Sequence, residues 1–169
     1  MWQPRMVNNM EKILRRVYSS KRITLSLRII SYVSVALAVI SYALIIWKHF
    51  SKSTETAMLL LVFSAVPFLL VSAWRRFLNA PRPYEMYNFY DVLPKNKKGR
   101  SFPSRHVFSI FLIATFAVTI SPYLFAALII LGVALAVSRV LLGVHFIRDV
   151  VAGAIIGSAS ALIGIFLAV

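Results

Sequence analysis

His145 and Asp149 stand four residues apart, so on a helix they share a face. A carboxylate beside an imidazole fixes its tautomer and makes the other ring nitrogen a better nucleophile or base. Taken alone, the pair reads more readily as an interfacial salt bridge closing a helix end. Pro103-Ser104-Arg105-His106 directly precedes a long apolar stretch and reads as a helix start, with Ser104 as N-cap. Such a terminus presents free N–H groups and partial positive charge to an anion, with His106 in its first turn. Ordinary capping and an interfacial histidine would explain that cluster equally well by itself. Arg75, Arg82-Pro83 and Ser138-Arg139 add guanidinium groups, which make planar, bidentate contacts with phosphate oxygens. Arg75 and Arg76 also suit juxtamembrane anchoring, whereas Arg82 between Pro81 and Pro83 has a fixed direction. Together these parts form a phosphate cradle flanked by two histidines. The chemistry that needs the whole set is phosphoryl transfer: one histidine attacks phosphorus and the other protonates the leaving oxygen.

The elements that must position these residues are membrane spans. Ile23–Trp47 is the first, carrying Arg28 near one end, and Ala57–Trp74 is the second. Residues 75–103 are the one long polar stretch, where Pro81, Pro83, Pro94 and Pro103 argue against helix. Val107 to Ser138 holds no charge and is split at Ser121-Pro122 into a helical hairpin. To cross ~30 Å of hydrocarbon at ~1.5 Å per residue, its two helices must take in Ser104, Arg105 and His106 at one end and Arg139 at the other. Val150–Val169 is the fifth span, with Gly153, Gly157, Ala161 and Gly164 on one face for close helix packing. Before all of these, Met6, Met10, Leu14 and Val17 recur at helical spacing among basic residues, the pattern of an interfacial amphipathic helix over residues 1–22. The fold expected is therefore an all-α, polytopic bundle of about five spans in a single domain. The hairpin brings its two ends, and the end of the second span, to one membrane face.

Composition agrees. Hydrophobic residues make up 60% of the 169, and the mean hydropathy is +0.80. The absence of cysteine excludes disulfides, thiolate metal sites and cysteine nucleophiles. The formal net charge of +14 falls mostly at the edges of apolar blocks, which favours anionic headgroups or a phosphate substrate over nucleic acid as partner.

The chain resembles the type 2 phosphatidic acid phosphatase family, whose signature is Lys-x6-Arg-Pro, Pro-Ser-Gly-His and Ser-Arg-x5-His-x3-Asp. Ser138-Arg139, His145 and Asp149 match the third part in full. Arg75 and Arg82-Pro83 match the first in spacing, with arginine for lysine, and Arg105 replaces the glycine of the second. The resemblance implies a membrane enzyme that dephosphorylates a lipid phosphate or diphosphate without metal or other cofactor. It implies His145 as the nucleophile forming a phosphohistidine, Asp149 as its activator and His106 as general acid. Arg75, Arg82, Ser104 and Arg139 would hold the phosphate. Arg105 would point to solvent, add a cation for a diphosphate, or narrow the pocket.

Tyr84, Tyr87, Phe89 and Tyr90 suit the headgroup interface, as anchors or as a lid over a lipid headgroup. The basic N-terminal region and the basic loop share one side, against only Lys48 and Lys52 opposite. That asymmetry places the site on the cytoplasmic face, contrary to the family's outward habit. Other readings are a lipid-phosphate binding or transport protein without turnover, a lipid-to-lipid phosphotransferase, and a haem or quinone protein. The last leaves Asp149 and the arginines unexplained.

Overall fold

The computed structural model describes residues 4–86 and 98–168, and the regular structure among them is entirely helical. The order is α1 (Pro4–Ser19), α2 (Lys21–Phe50), α3 (Thr54–Leu78), α4 (Pro83–Met86), α5 (Arg105–Ala117), α6 (Pro122–Leu141) and α7 (Ile147–Ala168). Helices α2, α3, α6 and α7 are long and apolar enough to cross a membrane. Serine hydroxyls open three of them: Ser20, Ser53 and Ser121 accept from the N–H groups of Ile23, Thr56 and Leu124. Pro122 takes the first turn of α6, where its missing N–H costs nothing. Large apolar side chains such as Leu69, Leu70, Ile130 and Phe166 remain on the outside, as a lipid-facing surface requires.

The third span differs from expectation. It is a 13-residue helix, about 20 Å at ~1.5 Å per residue, and is shorter than the hydrocarbon layer. It has no lipid thickness to match, because α5 is the centre of the bundle. Phe108, Ile110, Leu112, Ala114, Phe116 and Ala117 are all buried, wrapped by α2, α3, α6 and α7. Two further boundaries also move. Helix α3 runs on through Arg75 to Leu78, and residues 83–86 form a helical turn led by Pro83, so the prolines of the 75–103 stretch do not exclude helix. A proline is well placed at a helix start, and only inside one does it break the ladder. Helix α7 starts at Ile147, which leaves His145 just outside it, after Gly143 at φ +63°.

The most extensive packing joins α5 to α7. The small face anticipated on the last span makes it: a Cβ on Gly153 would come within 2.6 Å of the Ser104 carbonyl oxygen, and one on Gly157 would strike the Phe108 carbonyl. Gly164 lies similarly against Phe63. Backbone therefore meets backbone where the phosphate-cradle residues begin. At the far end of the bundle, His49 links α2 to the α5–α6 turn: its Nδ1 lies 2.8 Å from the Ile45 carbonyl oxygen and its Nε2 3.1 Å from Thr119 Oγ1.

On the site side, α1 docks through its apolar face, with Leu14 and Val17 buried. Leu14 packs on Gly143, and the Tyr18 hydroxyl donates to the Leu142 carbonyl at 2.9 Å. A valine at Gly157 must force α5 and α7 apart. Gly157→Val should lower Tm by roughly 3–10 °C and reduce activity, whereas Ile155→Ala on the exposed face of the same helix should leave both near wild type. Thermal unfolding in detergent checks this.

Candidate active site

One buried carboxylate organises part of this end of the bundle. Asp149, in the first turn of α7, has no exposed surface. Its Oδ2 accepts from the Phe146 N–H at 3.0 Å and from the Ser101 hydroxyl, and lies 3.6 Å from His145 Nδ1. Its backbone carbonyl accepts from the Ser104 N–H at 2.9 Å. Its Oδ1 has Arg148 Nε at 3.5 Å.

His145 is thus held on its Nδ1 side, with the Ser101 hydroxyl at 3.4 Å as well, while the residue itself lines a cavity of about 710 Å³. Nε2 is the nitrogen left to act. Burial holds the His145 imidazole below its ordinary pKa of 6.5, and the hydrogen bond to Asp149 pulls the other way without overcoming it. The ring is neutral at neutral pH, which is the form a nucleophile needs.

The structure brings five of the other sequence candidates to the same cavity, and Ser104 is not one of them. Arg75, Arg82, Arg105, His106 and Arg139 all line it. Arg75 is buried and donates through Nη1 to the carbonyls of Ser101 and Pro103, so part of its guanidinium shapes the loop ahead of α5. Arg82 Nε donates to the Gly99 carbonyl at 2.9 Å, and its guanidinium lies 5.9 Å from the Tyr84 ring. Arg139 keeps a buried Nε without a hydrogen-bond partner. Ser104 is the N-cap of α5 in conformation, but its side chain makes no cap hydrogen bond. Its buried Oγ is unpartnered.

Arg105 is exposed and lies with its guanidinium 5.8 Å from the Phe68 ring. Phe68 also borders an apolar groove of about 350 Å³ between α2, α3 and α5, lined by residues such as Tyr42, Leu61, Phe108 and Leu112. Arg105 therefore stands where a polar chamber meets a greasy channel. Among the aromatic loop residues, Tyr84 is buried on the chamber wall, while Tyr87, Phe89 and Tyr90 lie outside the described residues.

Ser101 is the functional residue that spacing does not reveal. Its partner Asp149 is 48 positions away, and a serine before Phe102-Pro103 looks like any loop serine. Arg28, Tyr18 and Tyr32 likewise reach the chamber from the N-terminal helices. Among the described residues no group of three His, Cys, Asp or Glu side chains is placed to hold a metal ion.

Comparisons with known proteins agree with this architecture. Two solved structures share the fold. LpxE of Aquifex aeolicus has a TM-score of 0.70 at 24% identity, over 92% of this chain and 93% of that one. The first transmembrane PAP2 type phosphatidylglycerolphosphate phosphatase from Bacillus subtilis has a TM-score of 0.68 at 22% identity, over 98% of this chain and 87% of that one. No curated protein sequence matches. The sequence model of the PAP2 superfamily matches residues 56–168, which carry His106, His145, Asp149 and Arg75, Arg82, Arg105 and Arg139. The chain belongs to the PAP2 superfamily.

Proposed function

We propose that the protein is a membrane-embedded lipid phosphatase that works through a phosphohistidine on His145. The observation that carries this reading is the neutral, carboxylate-backed imidazole lining a chamber of arginines that His106 also lines. In the first step His145 Nε2 attacks phosphorus and the phosphorus–oxygen bond to the lipid breaks. The leaving oxygen takes its proton from His106. In the second, water attacks the phosphohistidine, His106 accepts the water's proton, the P–N bond breaks and inorganic phosphate leaves. Arg82, Arg139 and the free part of Arg75, with the N–H groups at the start of α5, spread the charge of the transferred oxygens. Arginine supplies here the positive charge that a metal supplies elsewhere.

The apolar groove below Arg105 supports a lipid as the substrate, with its phosphate in the chamber and a tail along α5. The cytoplasmic face remains our reading of its orientation, on a narrower base than charge counting alone. Arg28, Arg76, Lys98 and Arg100 line the chamber and so serve a ligand as well as topology. Arg5, Lys12, Arg15, Arg16, Lys21, Arg22, Lys95 and Lys97 still outweigh Lys48 and Lys52.

His145→Ala should abolish phosphate release from phosphatidic acid, phosphatidylglycerol phosphate and a polyprenyl diphosphate, while wild-type release persists in excess chelator. Lipid binding that survives with no wild-type turnover would instead mark a binding protein. The acidic limb of kcat/KM should fall below pH 6.5, where His145 becomes protonated. Asp149→Asn should cost roughly 10²–10⁴-fold in kcat, by analogy with other carboxylate-backed histidines. Ser101→Ala removes a donor that competes with His145 for the same carboxylate oxygen. The imidazolium is then better stabilised, and the acidic limb should move to higher pH. A lower kcat with an unmoved limb would reduce Ser101 to a packing role. Because the chain has no cysteine, single Arg16→Cys and Lys52→Cys variants report sidedness by labelling in intact cells, with Lys52→Cys the one expected to react from outside.

A further inference from the structure

Arg105 occupies the first position of α5 with its hydrogen-bonding capacity unused. Arg75 and Arg82 donate to loop carbonyls. Arg105 is exposed and donates to no described residue, and its guanidinium rests 5.8 Å from the Phe68 ring. A ring face attracts the cation as a whole and is no oxygen acceptor for its N–H groups.

What surrounds that guanidinium follows from helix periodicity. On α3, Ser72 and Arg75 line the chamber, while Phe68, Ser64 and Leu61 line the apolar groove. Intervals of three or four residues put all of them on one face, so the groove continues the chamber down the same side of the helix. Helix α5 does the same from Arg105 in the chamber to Ser109 and Leu112 in the groove, and α2 from Tyr32 to Val39. Chamber and groove are thus two halves of one cleft. Arg105 belongs to the first half, Phe68 to the second, and their contact marks the junction. Phe68 lies two turns below Arg75, about 10 Å along α3. A phosphate held among the cradle arginines therefore leaves only a handful of bonds before the rest of the ligand passes Arg105.

The chemistry of those few bonds differs between lipid phosphates. Where hydrocarbon begins at the phosphate ester, the Arg105 guanidinium would give up water against CH2 groups with nothing to donate to. Where acyl chains hang on a glycerol, ester carbonyl oxygens fall in that stretch. We infer that Arg105, seated on Phe68, is a specificity-determining residue whose guanidinium donates to an acyl carbonyl oxygen where the chain passes from chamber to groove. The inference rests on the lipid-phosphatase reading and adds to it a selection for the linkage between phosphate and tail. The glycine of the family signature has no side chain with which to make that selection.

Binding tests this apart from turnover. His145→Ala protein in neutral detergent would be titrated by calorimetry with two phosphatidic acids of equal chain length, one diacyl and one dialkyl, which differ only in the carbonyl oxygens. The diacyl ligand should bind about tenfold more tightly, the size of one hydrogen bond to a charged group. Arg105→Gly and Arg105→Gln should each bring the ratio of the two Kd values toward one, and Arg105→Lys should keep part of it. Phe68→Leu, which removes the seat of the guanidinium, should lower the ratio as well. Equal affinity for the two ligands before any change at position 105 would overturn the inference. So would a loss shared equally by both ligands in Arg105→Gln, which would make Arg105 a holder of the phosphate alone. A diacyl preference that depends on Arg105 would support the inference even if the wild type released no phosphate, an outcome that counts against the phosphatase reading only.

Discussion

Four groups from two stretches of chain converge on the carboxylate of Asp149 and the carbonyl behind it. The side chain gathers the Ser101 hydroxyl, the Phe146 N–H and the His145 ring; the backbone takes the N–H of Ser104. A fully buried charge is costly unless hydrogen bonds meet it, and here Oδ2 is met by the Ser101 hydroxyl and the Phe146 N–H while Oδ1 has no hydrogen-bond partner. The 101–104 segment, the loop before α7 and the start of α5 are therefore registered to one another by a single residue. Arg75 closes the arrangement from the outside by donating to the carbonyls of Ser101 and Pro103.

That convergence depends on α5 and α7 approaching more closely than ordinary side chains allow. Gly153 beneath the Ser104 carbonyl and Gly157 beneath that of Phe108 remove the obstacle. Little apolar driving force separates helix–helix from helix–lipid contact inside a bilayer, so close backbone packing is the available source of association. The short central helix follows from the same geometry. Enclosed by four longer helices, α5 has only to carry its N-terminus to the chamber and turn back at Ser121.

Much of this is legible in the sequence because it is local. Runs of apolar residues locate the spans, the interval from His145 to Asp149 is one helical turn, and the glycine ladder on α7 is a period visible by eye. The candidate cradle residues come to one face for the same reason, since a hairpin returns its ends to the side it left. What spacing could not show is pairing across distance. Ser101 meets Asp149, and Arg28 meets the chamber, only through the tertiary fold. The shared helical face of His145 and Asp149 holds only for Asp149, because α7 starts at Ile147 and the turn at Gly143 leaves His145 outside it. Ser104 stands at the N-cap of α5 as expected, but its buried hydroxyl makes no cap hydrogen bond.

The docking of α1 carries a consequence for how small such a protein can be. Tyr18 and Leu14 clasp Leu142 and Gly143, the two residues at the turn before His145. An amphipathic helix at the membrane surface is thus a buttress for the loop that presents His145. A chain shortened at its N-terminus would keep every signature residue yet lose one side of the vessel. The wall of the chamber thus extends beyond the matched segment, to Tyr18 of α1 and to Arg28, Ser31 and Tyr32 of α2.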